Sequence, residues 1–96
     1  MRKKNTQTLR EVLKNYMVEN HLDNKLAEID LIGSWEKALG KTVARYTKNI
    51  YIRNRVLFVE TSSAMVRNEL MMIREEIRKR LNEEAGREVI DKIHFS

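Results

Sequence analysis

The apolar positions near the N-terminus recur at helical spacing. Leu9, Val12, Leu13 and Tyr16 are separated by three or four residues. This spacing places them on one face of a helix that begins near Thr8. The sequence therefore predicts a first amphipathic helix.

A second helix is predicted after a polar break at residues 21–24. Asp23 or Asn24 can cap it, because a short polar side chain there accepts a hydrogen bond from a free backbone N–H. Its apolar stripe continues through the following positions: Leu26, Ile29, Ile32 or Gly33, Trp35 and Leu39. Gly40 marks its end, since glycine adopts the left-handed conformation cheaply. The segment around Val43 is either a further helical turn or the lead into a sheet.

Two short runs of β-branched and aromatic residues then predict a hairpin. They are Ile50-Tyr51-Ile52 and Val56-Leu57-Phe58-Val59, and Arg53-Asn54-Arg55 joins them as a tight turn. Asn54 suits this turn because asparagine tolerates positive φ. Alternation along the strands separates two sets of side chains, and it leaves open which set faces the core.

One long helix and a last strand follow the hairpin. Thr61-Ser62-Ser63 supplies N-cap hydroxyls, and Gly86 stops the helix after Ala85. The helix carries an apolar stripe that we expect to be buried, at Val66, Leu70, Ile73, Ile77 and Leu81. The alternating Val89, Ile93 and Phe95 predict the strand. The order α-α-β-β-α-β indicates an α+β fold, with helices layered on a small, antiparallel-rich, three-stranded sheet.

The length and composition limit the class of protein. The chain of 96 residues suits one domain, and we expect residues 1–7 to form a flexible basic arm before a single domain at 8–96. No apolar run approaches the roughly 18 residues of a membrane span, and the N-terminus does not resemble a signal peptide. The absence of cysteine excludes disulfides and thiolate metal sites and fits a cytoplasmic location.

The charge balance favours an anionic partner. The net charge is +5 and the isoelectric point is about 9.7, which points to nucleic acid first, with simple solubility as the alternative. The candidate phosphate contacts lie at the hairpin tip, before the first strand and on one side of the long helix: Arg53 and Arg55; Lys41, Arg45 and Lys48; Arg67, Arg74 and Arg78. Basic tips also protect sheet edges, and arginine stems also cover core edges.

Other side chains leave two further functions open. Tyr51 and Phe58 would stack bases if they were exposed on the sheet, although strand aromatics more often pack in a core. The methionines Met65, Met71 and Met72 suit an adaptable protein-binding surface, or they pack against the N-terminal helices. No nucleophile has a recognisable base partner and there is no glycine-rich phosphate loop. We therefore expect no catalysis, no cofactor and no metal site.

Three segments taken together resemble the DciA-like family of bacterial proteins. They are SWEKALGKTVARYT, IYIRNRVLFVETSS, and RNEL followed by REEIRKRLNEEAGREVIDKIHF. Trp35 with Gly40, Leu81-Asn82 and Ile93-His94-Phe95 follow the family's pattern, and the resemblance spans about residues 6–96. It implies a domain similar to the type II KH fold, in a bacterial cytoplasmic protein that binds DNA and helps the replicative helicase to load or engage.

Two features of this chain depart from what the resemblance implies. There is no cysteine for the zinc ribbon of some members, and there is no GxxG loop of the kind with which KH domains clamp a nucleic-acid backbone. Any nucleic-acid binding must therefore use another surface. The resulting hypothesis is a non-enzymatic accessory factor of DNA replication that binds single-stranded or forked DNA and the replicative helicase. An RNA-binding protein and a protein-interaction module without nucleic-acid binding stay open as alternatives.

Overall fold

The computed structural model describes residues 8, 9, 11–13, 15 and 23–96. The predicted arm at residues 1–7 and Tyr16 of the first apolar face lie outside these residues. The elements in chain order are α1 (Asp23–Gly33), α2 (Trp35–Leu39), α3 (Lys41–Arg45), β1 (Thr47–Arg53), β2 (Val56–Thr61), α4 (Ala64–Met72), α5 (Arg74–Ala85) and β3 (Lys92–Phe95). The predicted α+β class is confirmed, and the predicted order holds when adjoining short helices are counted together.

The sheet is mixed rather than antiparallel-rich. Its strand order is β1-β2-β3, with β1 antiparallel to β2 and β2 parallel to β3. The parallel pair arises because the chain crosses over through α4 and α5 between β2 and β3, and a crossover returns a strand in the same direction. The central strand is therefore β2, which carries Leu57 and Val59 into the core.

Alternation along the three strands produces one buried face. Cross-strand pairing builds two aliphatic and aromatic rows, Ile52–Leu57–Ile93 and Ile50–Val59–Phe95. The helices contribute their buried side chains to the same cluster: Ala27, Leu31, Trp35, Leu70, Ile77 and Leu81. The helices therefore lie on this side, which we call the inner face of the sheet.

The hairpin turn contains two residues rather than three. Asn54 has φ +52° and Arg55 has φ +64°, and positive φ at both central residues is the type I′ geometry whose twist matches that of the flanking strands. The predicted turn is thus shortened by Arg53, which belongs to β1. Both strands also extend beyond their apolar runs, to Thr47 and Thr61.

The predicted long helix is interrupted at Ile73. This residue has φ −119° and ψ 24° and separates α4 from α5. Its side chain is 44% exposed, so its assignment to the buried stripe was wrong, whereas Leu70, Ile77 and Leu81 are buried as predicted. The prediction that Arg67, Arg74 and Arg78 lie on one side of the helix assumed a continuous turn of 100° per residue. The interruption at Ile73 breaks that continuity.

Both ends of the α4–α5 segment follow the sequence prediction. The Ser63 hydroxyl accepts a hydrogen bond from the Val66 N–H at 3.3 Å, which is ordinary N-capping. At the other end, Gly86 has φ +82° and its N–H donates to the Asn82 carbonyl. This is the left-handed stop that glycine permits.

The buried stripe of α1 is rotated from the predicted one. Ala27 and Leu31 are buried and lead into Trp35, whereas Ile29 is 55% exposed and Leu26 is half-buried. Apolar residues occupy so many positions of this helix that periodicity alone does not determine which side is buried. The chain then breaks at Ser34, and Gly40, with φ +94°, separates α2 from α3.

The segment near Thr8 begins as predicted but does not pack as an apolar face. Thr8 and Glu11 form a reciprocal capping box, in which each backbone N–H donates to the other's side chain at 3.2 Å and 3.1 Å. Leu9, Val12 and Leu13 are all exposed. These three side chains are therefore not part of the core.

Candidate nucleic-acid interface

The face of the sheet opposite the helices carries a row of rings. Tyr51, Phe58 and His94 are direct neighbours across the three strands. The Tyr51 and Phe58 rings are stacked, with centroids 5.0 Å apart and planes 13° from parallel, and the His94 ring lies 5.6 Å from Phe58 at a tilt of 58°. We call this row, together with its neighbours on the same side, the open face.

The rings of the open face remain in contact with solvent. Tyr51 is 41% exposed, His94 is exposed and Phe58 is half-buried. The inner-face side chains of the adjacent positions, Leu57 and Val59, are fully buried. Tyr51 therefore has the exposure that base stacking requires, whereas Phe58 is only partly exposed.

A second row on the open face supplies positive charge. Arg53, Val56 and Lys92 are paired across the strands, and Arg53 and Lys92 are exposed. The Arg53 guanidinium carbon lies 5.8 Å from the centre of the Tyr51 ring, within range of a cation–π contact. Arg53 is therefore the one predicted phosphate contact that lies beside the rings.

At the end of the open face away from the hairpin turn, one negative and one positive side chain form an ion pair. Glu60 pairs with Asn49 across β1 and β2, and its carboxylate lies 3.7 Å from the Lys48 ammonium. Lys48, another predicted phosphate contact, thus already has a partner. In the described part of the chain, Glu60 is the sole carboxylate whose strand position places it on the open face.

Arg55 is held in an ion-pair network instead of projecting from the hairpin tip. Its guanidinium donates to both Asp91 carboxylate oxygens at 3.0 Å and 2.9 Å and to the Glu88 carbonyl at 3.2 Å. Arg78 donates to Glu75 at 3.0 Å and reaches Glu88 at 3.5 Å. We call these five residues the hairpin-tip network. Its three carboxylates leave no spare positive charge on the two arginines.

Hydrogen bonding in this network shifts the acidities of its members. The bond from Arg55 lowers the pKa of Asp91 and the same bond raises the pKa of Arg55. The bond from Arg78 likewise lowers the pKa of Glu75 and raises that of Arg78. Each charged form is stabilised by its partner, so the network connects the hairpin turn to the loop before β3.

The remaining predicted contacts do not lie on the open face. Arg67 on α4 and Arg74 on α5 belong to the helices that pack on the inner face, and Lys41 and Arg45 are exposed on α3. Within the described residues, none of these four makes an ion pair or side-chain hydrogen bond. The eight predicted residues therefore divide into unpaired cations, spread over more than one surface, and paired ones.

Two functional candidates were missed in the sequence. Lys92 and His94 alternate with the buried Ile93 and Phe95. The alternation that predicted β3 therefore also places Lys92 and His94 on the opposite face of the strand. The helix predicted between β2 and β3 is compatible with parallel strands, but the register that places His94 beside Phe58 has no signal in the sequence. The chemistry of these two residues therefore became visible only with the sheet order.

A buried amide holds β3 in position beneath this surface. Asn82 is buried, and its Oδ1 accepts hydrogen bonds from the Val89 N–H at 2.9 Å and the Ile90 N–H at 3.1 Å. Its Nδ2 donates to the Ile90 carbonyl at 3.0 Å. One side chain of α5 thus satisfies three backbone groups of the loop that leads into β3.

A tryptophan has the same role at the start of β1. Trp35 is buried, and its indole N–H donates to the Thr47 hydroxyl at 2.9 Å. That hydroxyl donates in turn to the Val43 carbonyl at 2.9 Å. The chain of hydrogen bonds joins α2, α3 and the first residue of β1.

Residues 8, 9, 11–13, 15 and 23–96 were searched for a metal-binding cluster and for a membrane-spanning helix. These residues contain no cluster of three histidines, aspartates or glutamates able to hold a metal ion. None of their helices is long and apolar enough to cross a membrane.

Comparison with known proteins agrees with the resemblance of the three segments. The family model described as "Dna[CI] antecedent, DciA" matches residues 7–95. No protein of curated function matches the chain. The family name points to the replicative helicase and supports a role related to DNA replication. Because the match spans nearly the whole sequence, including Trp35, the hairpin and Asn82, the chain belongs to the DciA family.

Proposed function

We propose that this protein is a non-enzymatic, cytoplasmic accessory factor of bacterial DNA replication that binds single-stranded or forked DNA and acts on or loads the replicative helicase. Family membership supports the replication part of the proposal. The observation that carries DNA binding is a set of cations that form no ion pair within the described part of the chain: Lys41, Arg45, Arg53, Arg67, Arg74 and Lys92.

The unpaired cations are better phosphate contacts than the paired ones. A phosphate that approaches Arg53 displaces only water, whereas one that approaches Arg55 must also displace Asp91 from two short hydrogen bonds. We therefore assign phosphate binding to the unpaired set. Lys48, Arg55 and Arg78 are assigned to holding the fold.

The experiment that tests this division is a salt titration of binding to labelled single-stranded DNA, forked DNA and RNA. Two triple variants remove equal charge: Lys41→Ala with Arg45→Ala and Arg53→Ala, against Lys48→Ala with Arg55→Ala and Arg78→Ala. Each lost contact to a single strand reduces the slope of log K against log salt by about 0.7. The first variant should lower the slope by roughly 2, and the second should leave it unchanged.

Circular dichroism below the melting temperature checks that both variants are folded. An equal loss of slope in both variants would show that net charge alone drives binding. No binding by the unaltered protein at low salt would reduce the cations to a solvated surface and remove the DNA-binding proposal.

RNA is separated from DNA by direct competition. The proposal expects DNA to displace labelled single-stranded DNA more effectively than RNA of the same sequence. The reverse order would favour the RNA-binding alternative.

A protein-interaction module is the second candidate, and exposed apolar residues on α4 favour it. Met65 and Met72 are strongly exposed and Ile73 adjoins them; methionines adapt readily to a partner surface. Capture of purified replicative helicase that survives nuclease treatment, and that Met65→Ser with Met72→Ser weakens, would support a direct protein contact. Loss of capture on nuclease treatment would show that DNA bridges the two proteins.

A further inference from the structure

We propose that the open face is a base-stacking platform for single-stranded DNA, with Tyr51 as its principal stacking ring and Phe58 and His94 continuing the row. This inference rests on the proposed binding of single-stranded DNA and assigns that binding a site. Nothing in the phosphate-contact proposal requires the bases themselves to be bound. The platform adds that requirement.

The ring geometry is the first argument. Tyr51 and Phe58 are already parallel within 13° at 5.0 Å, so a base placed on Tyr51 extends an existing stack. Tyr51 lies on the edge strand β1 and is 41% exposed. Every base has a π-face, and stacking on exposed aromatic side chains is the common way in which proteins hold single strands without reading their sequence.

The arrangement of charge is the second argument. The cation row of Arg53 and Lys92 lies two residues along the strands from the ring row, which is roughly 7 Å. A single strand can therefore place its bases over the rings and its phosphates beside the cations. The sole carboxylate assigned to the open face within the described residues, Glu60, is compensated by Lys48.

The size of the row is the third argument. Three strands about 4.8 Å apart give a row of rings roughly 10 Å long. Because Tyr51 and Phe58 face each other within this row, the free ring face lies at the Tyr51 end and takes one base. In a duplex the bases are stacked on each other and only groove edges and phosphates are accessible. The platform therefore favours a single strand over a duplex, and other contacts must supply any affinity for a duplex.

The test measures binding of Tyr51 variants to a short oligothymidylate and to an abasic oligonucleotide of equal length. Tyr51→Ala should weaken oligothymidylate binding by about tenfold, as expected for the loss of one base–ring stack. Tyr51→Phe keeps the ring and should bind as the unaltered protein does. Tyr51→Leu keeps apolar volume without a ring and should be as weak as Tyr51→Ala.

The abasic strand isolates the base from the phosphates. The unaltered protein should bind it about tenfold more weakly than oligothymidylate, and Tyr51→Ala should bind both strands equally. The salt slope should not change in Tyr51→Ala, because no phosphate contact is lost. Tyr46→Ala is the matched control, since Tyr46 is 37% exposed but follows α3 and lies outside the open face.

The outcomes separate this inference from the function on which it rests. No binding of any single strand at low salt removes both. Salt-dependent binding that ignores Tyr51→Ala and does not distinguish the abasic strand overturns the platform and leaves the phosphate contacts standing. Tighter binding of RNA than of DNA through Tyr51 overturns DNA as the ligand of the platform.

Discussion

The two faces of the sheet are built from the same three strands and have opposite character. The inner face presents Leu57, Ile93 and their neighbours to the helices, and these side chains are buried. The open face presents Tyr51, Phe58 and His94 in the intervening positions, and cations flank them. A period of two along each strand is enough to separate a core from a candidate binding surface, so substitutions at adjacent positions should have different consequences.

The two arginines beside the hairpin turn repeat this contrast on a smaller scale. Arg53 ends β1 on the open face and contacts the Tyr51 ring. Arg55, two residues later, turns away and binds Asp91. Identical side chains thus differ in availability, because the turn directs one toward solvent and the other toward a carboxylate.

The largest effect is expected from the inner face. Leu57 is fully buried, and Leu57→Ala should lower the free energy of unfolding by about 3 kcal/mol, through lost burial and the cavity that remains. Urea denaturation measures this change. The folded fraction should still bind single-stranded DNA with unchanged affinity.

Phe58→Ala is the adjacent control on the open face. Its expected stability loss is about 1 kcal/mol, since Phe58 is half-buried and loses mainly cross-strand contacts. Its affinity for single strands should fall instead. Similar stability losses in both variants would show that the two faces are not as different as their burial indicates.

A loss of stability smaller than that of Leu57→Ala is expected from the amide that holds β3. Asn82→Ala leaves the Val89 and Ile90 N–H groups without their buried acceptor and should cost about 2 kcal/mol. Both faces should then lose order at the β3 side, which hydrogen exchange of the β3 amides would detect. Asn68→Ala, at an exposed position of α4, is the control, and an equal effect there would deny Asn82 a special role.

The smallest effect is expected from the hairpin-tip network and depends on pH. Arg55 lowers the pKa of Asp91 in the folded protein. The stabilisation from this carboxylate is therefore present above its unfolded pKa, near 3.9, and is lost as the pH falls through the folded value.

Urea denaturation at pH 7 and pH 3 tests this dependence. Asp91→Asn should be slightly less stable than the unaltered protein at pH 7, and the difference should shrink at pH 3. Glu69→Gln, at an exposed carboxylate outside the network, is the control for charge removal. A difference that persists unchanged at pH 3 would show that the Asp91 charge is not the cause.

Much of the fold was predictable because its signals are local. Asn54 and the two β-branched runs located the hairpin. Gly86 located the end of α5, and Ser63 located the N-cap of α4. The break at Ile73 had no such signal, since neither proline nor glycine occurs there. The buried side of α1 was missed because apolar residues occupy several sides of that helix.

The candidate site was predictable only in part because it depends on distant pairing. Tyr51, Phe58 and Arg53 could be singled out as residue types, but their neighbours Lys92 and His94 arrive through the parallel pairing of β3. Arg55 was predicted as a phosphate contact from its place at the hairpin tip. Its ion pair with Asp91 was not foreseen because the two residues lie 36 positions apart in the sequence. Periodicity assigns faces to a single strand, and it does not identify which strands or charges meet.

The two-residue turn at Asn54 and Arg55 has a consequence for the length of the chain. Because the pairing register starts from this turn, one added or deleted residue would shift β1 by one position against β2. Tyr51 and Arg53 would then face the helices, and Ile50 and Ile52 would face water. Many side chains of the hairpin can therefore change individually, whereas the number of residues between the strands cannot.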